Sequence, residues 1–360
     1  MLNRRYYSKL IILSLITAGI LFSGCEQPVT SSGIAPVDQT VDTTPPQTGG
    51  DQQAAKLYVD AMIFKDKELW DNALRKLDEA IGYAPDFSLA WSFKGDIFQQ
   101  NEQYAESADA YEAASKIDPW SFKDFANLGK VAQILEQYRR AVRAYVTACD
   151  LDPDHYGVHL GAGRCYYELK DYELAFGYTE RAKEIDPEQA DPDVLLGDIY
   201  QAKDDYTSAI NSYRRALETA GNVPKTMVSL AAAYAKAESF DKNKRFKAAE
   251  ELLTDAIEAD PNDNVAYHYL GYIQLNLYRE NLDLALNSYS KAVDIENEDW
   301  MAHKGLGVVH MLKAIKAKAQ SLEEKAAQHK QKAIEQWNKS LAIKPEQPQL
   351  RIMMSNYLNE

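Results

Sequence analysis

The chain of 360 residues predicts an all-α fold, an array of about eight stacked helix-turn-helix units, and three observations carry that prediction. Proline recurs at Pro85, Pro119, Pro153 and Pro187, each 34 residues after the last. Small residues recur at fixed places between those prolines. Glycine and proline are sparse, at 17 and 13, while hydrophobic residues make up 46% and charged residues 26% of the chain. That balance belongs to packed helices and not to a disordered or polytopic protein. The acidic excess, 54 against 40 basic residues, excludes a nonspecific nucleic-acid binder, whose phosphate contacts need a basic face. Three cysteines exclude a disulfide framework.

Each element follows from the 34-residue ruler. Ile117-Asp118-Pro119, Leu151-Asp152-Pro153 and Ile185-Asp186-Pro187 end successive units, and Ala259-Asp260-Pro261 recurs later. Proline suits the turn between helices because it disrupts a helix interior. Units start near residues 54, 88, 122, 156, 190, 224, 264 and 300. The eighth place carries Ala61, Gly95, Gly129, Gly163, Gly197, Ala231, Gly271 and Gly307, where two helices of one unit must cross closely. Alanine recurs at the twentieth and twenty-seventh places. Tyr111, Tyr145, Tyr213, Tyr289 and Trp337 share the twenty-fourth place and are expected to fill gaps between units. Three insertions depart from the ruler. Ser239 to Arg245 predicts a longer surface turn, and Arg279 to Asp283 another. The stretch of about 311–332 predicts two helices running about two turns further as a finger, the second opened by a Ser321–Glu324 capping box. Residues 348–360 predict a short C-terminal capping helix.

This spacing resembles the tetratricopeptide repeat (TPR) over residues 54–347. The resemblance implies a right-handed solenoid whose first helices line an inner binding face. The inner-face places carry Tyr58, Met62, Asp96, Gln99, Lys130, Gln133, Arg164, Tyr167, Asp198, Gln201, His268, Tyr272 and Asn276, a mixed lining suited to an extended peptide or partner helix. Family members that clamp a C-terminal carboxylate carry lysine and asparagine at the fifth and ninth places of the opening unit. Here those places hold Tyr58 and Met62, so that specificity is not implied.

Residues 1–24 resemble a bacterial lipoprotein signal peptide. Arg4, Arg5 and Lys9 precede an apolar run from Leu10 to Phe22, too short for a spanning helix, and Ser23-Gly24-Cys25 follows. The resemblance implies acylation of Cys25, palmitate among the chains, with Glu26 favouring the outer over the inner membrane. Residues 25–53, with Pro28, Pro36, Pro45, Pro46, Gly49 and Gly50, read as the acylated cysteine and a flexible tether.

No catalytic or metal constellation emerges. His159, His303 and His310 fall at core-facing or inter-helix places. Cys149 and Cys165 lie on helices that pack together, which leaves open a disulfide or two buried thiols. Charge is uneven: residues 26–299 hold 27 basic and 49 acidic residues, whereas 300–360 hold 10 and 5. Lys313, Lys316, Lys318, Lys325, Lys330 and Lys332 make the finger basic, either to dock an acidic partner or to keep an alanine-rich helix solvated. The expected function is a lipid-anchored envelope scaffold or adaptor that binds other envelope proteins or peptides, without enzymatic activity, cofactor, metal or nucleic acid. The alternative is a peptide- or glycan-binding accessory lipoprotein for uptake or surface recognition.

Overall fold

The structure, a computed structural model, describes residues 49–358. The signal peptide, Cys25 and the tether up to residue 48 lie outside the described residues. Within them the chain forms seventeen helices and no strand. Eight antiparallel pairs follow one another: α1 (Gly49–Asp66) with α2 (Trp70–Tyr83), α3 (Ser88–Gln100) with α4 (Tyr104–Ile117), α5 (Phe122–Ile134) with α6 (Tyr138–Leu151), and α7 (Tyr156–Glu168) with α8 (Tyr172–Ile185). Then come α9 (Asp191–Ala202) with α10 (Tyr206–Ala220), α11 (Pro224–Lys236) with α12 (Lys242–Ala259), α13 (Asn264–Leu277) with α14 (Leu282–Ile295), and α15 (Trp300–Ala319) with α16 (Glu323–Ile343). The last helix, α17 (Pro348–Leu358), stands alone. Each helix packs on the next in sequence, as in a solenoid.

Local chemistry sets both kinds of turn. Between units, the residue before proline is pushed out of the helical region. Asp118, Asp152 and Asp186 adopt φ from −115° to −137°, and their carboxylates accept the backbone N–H two residues on, at 3.0–3.3 Å. This gives the Asp-Pro ending its physical reason. Within units, Glu68, Glu102, Glu136, Lys170, Asp204 and Ser321 take left-handed φ of 56–62°. Each lets the following N–H reach back to a carbonyl five residues earlier, as in Gln137 N to Ala132 O at 2.8 Å, which closes the first helix.

Five of the six eighth-place glycines answer to a twenty-fourth-place aromatic, and the sixth, Gly163, faces Thr179. Tyr145 fills a gap between units, as the sequence suggested, and crosses its own unit as well. It lies across Gly129 of its own unit and against Gly161 of the next, where an added Cβ would come within 2.6 and 2.5 Å of its ring. Tyr111 lies likewise on Gly95, Tyr213 on Gly197, Tyr289 on Gly271 and Trp337 on Gly307. Where the eighth place is alanine, as in Ala61 and Ala231, the twenty-fourth is Leu77 and Leu253, sharing the same core. Ring and missing methyl are complementary volumes.

Four expectations need correction. Residues 49–53, assigned to the tether, are the first turns of α1, because Ala54 and Leu57 behind them are buried in the first core. The insertion near Ser239 is not all turn: α12 is 18 residues long, and Asp241 caps it by accepting from Lys244 N at 2.9 Å. Ser321 caps nothing. It occupies the left-handed turn position, and α16 starts after Leu322 with no side-chain cap. Nor are all the finger's lysines free. The Lys313 ammonium pairs with Asp283, and Lys316 donates to the Glu280 carbonyl at 3.3 Å, so the turn of the preceding pair engages the finger's base.

α15 and α16 reach 20 and 21 residues, against 13 and 14 in α5 and α6. Seven extra residues per helix are about two turns, so the two helices extend without rotating their shared face. At this added layer His310 and His329 meet, Nδ1 to Nδ1 at 3.2 Å, with rings stacked 5.4 Å apart. Burial, then the neighbouring His329, Lys332 and Lys313, push His310 down to about 4; burial, then Lys313 and Lys332, lower His329. The unfolded chain therefore takes up protons first as pH falls below about 6.5. Stability from the neutral pair is full above that pH and is lost as pH descends toward 4. Thermal melts between pH 7.5 and 4.5 are expected to fall more steeply for the native chain than for His310→Gln; equal slopes would refute the assignment. α17 closes the end, with Leu350 and Met354 packed against Met311, Ala333 and Trp337.

Candidate functional site

The first helices form a continuous wall: α5 packs on α7, α7 on α9, α9 on α11, α11 on α13 and α13 on α15. Along it the third to sixth units enclose a groove of about 780 Å³. Gln133, Arg164, Tyr167 and Asp198 line it, joined by Tyr138, Glu168, Asp191, Lys225 and Ser229. Of the residues singled out in the sequence, the groove brings together those four. A second hollow of about 620 Å³, in the sixth to eighth units, holds His268 and Tyr272. Tyr58, Met62, Asp96, Gln99, Lys130, Gln201 and Asn276 line neither.

Much of the polar lining is already engaged. The Tyr111 hydroxyl donates to Asp96 at 2.7 Å and Gln99 at 3.0 Å, that of Tyr145 to Gln133 at 3.0 Å, and that of Tyr213 to Asp198 at 2.6 Å. The ring that a unit's glycine admits thus reaches its inner face and orients the acceptor there. Charges also pair along the wall, a ninth-place group with the second place of the next unit 27 residues on. Lys123 binds Asp96 at 2.6 Å and Arg164 binds Asp191 at 2.8 Å. Asp198 and Lys225 repeat the spacing. Burial raises the Asp198 carboxyl pKa, only partly opposed by the Tyr213 hydrogen bond and by Lys225 and Arg164. Burial likewise pushes the Tyr167 phenol up to about 12. The second-place partners Asp191 and Lys225 went unnoticed in the sequence, although opposite charges 27 residues apart were a readable signal.

The remaining sequence candidates sort by burial. Tyr58 packs between Phe87 and Phe93 at 5.3 and 5.6 Å, whereas Met62 and Lys130 are exposed. Asn276 donates to the Tyr272 carbonyl at 2.9 Å, and the buried Gln201 Oε1 has no partner among the described residues. His268 is buried, with 4% of its surface exposed, and its Nδ1 lies 2.9 Å from Asp299. His159 meets the Pro153 carbonyl at 3.0 Å, and His303 meets Gln336 and the Asn297 carbonyl. Cys149 and Cys165 are free thiols in one buried core, both pushed to about 12 by burial. Among the described residues no group of three or more His, Cys, Asp or Glu is placed to hold a metal ion, and no helix is long and apolar enough to cross a membrane.

A tetratricopeptide repeat family model matches residues 59–119, 127–190 and 194–264. No curated protein matches the chain in sequence. Solved structures do match in fold. The C-terminal part of a TPR repeat-containing protein from Cytophaga hutchinsonii is 17% identical, with a TM-score of 0.53 over 71% of this chain and 96% of its own. A tetratricopeptide repeat protein from Parabacteroides merdae is 15% identical, with a TM-score of 0.51 over 72% and 99%. The APC/C hetero-tetramer Cut9-Hcn1 is 19% identical, with a TM-score of 0.51, and this chain spans 47% of the matched subunit. These likenesses concern the fold. With the family model covering more than half of its residues, the 34-residue period in its helix pairs and the glycine–aromatic complementarity inside them, the chain belongs to the tetratricopeptide repeat family.

Proposed function

We propose that this protein is a lipid-anchored scaffold or adaptor of the bacterial cell envelope, holding a segment of another protein along its inner face. The observation that carries the binding half is the groove of about 780 Å³, to which four successive units contribute. A groove shared by several units suits an extended chain better than a compact substrate. Arg164, Glu168, Asp198 and Lys225 give it charges of both signs, and half-buried tyrosines give apolar rests for side chains. The anchor half rests on the Ser23-Gly24-Cys25 signature and the basic and apolar residues before it. Glu26 favours the outer membrane. Two acyl chains at Cys25 attach a protein stably, and confinement to a surface raises the local concentration of its partners. Lys318, Lys325 and Lys332 are exposed on the finger and, with the half-buried Lys330, offer it positive charges for an acidic partner.

Two measurements test this reading. Cells fed an alkyne-bearing palmitate are expected to label the native chain and not Cys25→Ser; equal labelling, or none in the native chain, removes the anchor. Crosslinking in cells is expected to enrich envelope proteins over an unrelated lipoprotein control, and Arg164→Glu with Lys225→Glu is expected to abolish that enrichment. Enrichment indifferent to those two changes removes the groove.

A further inference from the structure

We infer that the hollow in the sixth to eighth units is an anchor pocket for one bulky apolar side chain of an acidic peptide segment. The inference rests on the reading of the inner face as a holder of partner segments, and it gives that partner a chemistry.

The pocket differs from the groove beside it. Tyr269, Tyr272, Trp300 and Met301 supply its walls, and at about 620 Å³ it falls within the ~300–1,000 Å³ of hollows that enclose small ligands. Tyr272 and Met301 keep 41% and 38% of their surfaces exposed, so the ring and the thioether are open to an incoming side chain. It also holds a polar group that the protein leaves unused. His268 turns its Nδ1 to Asp299, which Asn264 and the Ala302 N–H also bind, and its Nε2 is buried in the wall without a partner among the described residues. The unused group is the Tyr289 hydroxyl. In the second, third and fifth units the equivalent tyrosine donates to an Asp or Gln at the ninth or twelfth place. In the seventh those places hold Tyr272 and Leu275, and the Tyr289 hydroxyl has no hydrogen-bond partner among the described residues. A free hydroxyl among aromatic walls can donate to the C=O of a peptide unit, with the neighbouring side chain against the rings.

Charge selects the flanks. Lys236 and Lys304 line the pocket, and no carboxylate does, although the chain carries 54 acidic residues against 40 basic. A segment with acidic residues beside its apolar anchor is complementary. Continuity selects a chain over a free small molecule: α11 contributes Lys225 and Ser229 to the groove and Ala235 and Lys236 to the pocket, so one extended segment can run from one to the other.

The probe is a fluorescein-labelled nonapeptide, Gly-Asp-Glu-Ser-X-Ser-Glu-Asp-Gly, with X as Trp, Phe, Leu or Ala, titrated by anisotropy against the full-length chain in detergent. The expected result is binding roughly tenfold tighter for Trp, Phe or Leu than for Ala, weakened roughly tenfold by Lys304→Glu. Tyr289→Phe keeps the ring on its glycines and removes only the hydroxyl, and is expected to weaken binding roughly fivefold with an unchanged melt. Affinity independent of X overturns the inference, and so does binding indifferent to Lys304→Glu. If the peptide responds instead to Arg164→Glu, the pocket assignment falls while the groove's role as a binding face stands.

Discussion

Replacing Gly129 with alanine is expected to destabilise the fold by about 2–3 kcal/mol, although alanine is the better helix former by about 1 kcal/mol. The new methyl would stand 2.6 Å from Tyr145 Cδ1, and that ring has little room to retreat because its far edge lies so close over Gly161 that a Cβ there would stand 2.5 Å from Cζ. Tyr145 is itself buried, and its hydroxyl is held by Gln133. Gly177, which has nothing within 4 Å of an added Cβ, provides the control; Gly177→Ala is expected to stabilise by about 0.5–1 kcal/mol. The complementarity reading makes a sharper demand. Tyr145→Leu alone leaves a void, but with Gly129→Ala it recreates the Ala–Leu combination of the first and sixth units. Urea unfolding of the four corners of this cycle is expected to show at least about 1 kcal/mol of favourable coupling. Additive losses would mean that the glycine is small for another reason.

Asp299→Ala is expected to cost about 3–5 kcal/mol, since it removes one member of a buried pair and a helix cap together. Asp299 accepts from His268 Nδ1 at 2.9 Å, Asn264 Nδ2 at 3.0 Å and the Ala302 N–H at 2.9 Å, with 4% of its side chain exposed. It therefore ties the start of α15 to α13. Asp299→Asn keeps the shape and an acceptor oxygen and is expected to lose less than half as much. Burial by itself pushes this carboxyl up, but the hydrogen bond and charge of His268, with the hydrogen bonds from Ala302 and Asn264, outweigh it and hold the group below its ordinary range. A carboxyl lowered on folding stabilises above its unfolded pKa of about 3.9 and loses that contribution as pH falls through the folded value. The native chain is therefore expected to weaken below about pH 4 by this route, and Asp299→Asn to lack that part of the acid limb. A native acid limb identical to that of Asp299→Asn would remove the assignment.

How far the candidate site could be read ahead depended on the scale of each interaction. Gln133, Arg164, Tyr167 and Asp198 were found because the period fixes which face of a first helix looks inward. His268 stands instead at the fifth place, where Ser92, Leu160 and Val228 of other units are buried too, and there it meets Asp299, 31 residues away. The turn residues Glu68, Glu102, Glu136, Lys170 and Asp204 left no trace in composition, since none is the glycine or asparagine that a left-handed φ favours. Helix packing on either side compels them.

By itself the sequence determined the helix pairs, their period, the small residues at the crossings and the seven-residue lengthening of each finger helix. These depend on contacts within one unit or between neighbours, which a 34-residue repeat writes out in order. Only the tertiary structure decided that rings of the twenty-fourth place span two units, that wall charges cancel at a 27-residue spacing, and that Tyr289 keeps an unused hydroxyl in an aromatic hollow. Those outcomes depend on angles and burial shared by three or more helices, and a residue type at a given place does not encode whether its partner is close enough to meet it.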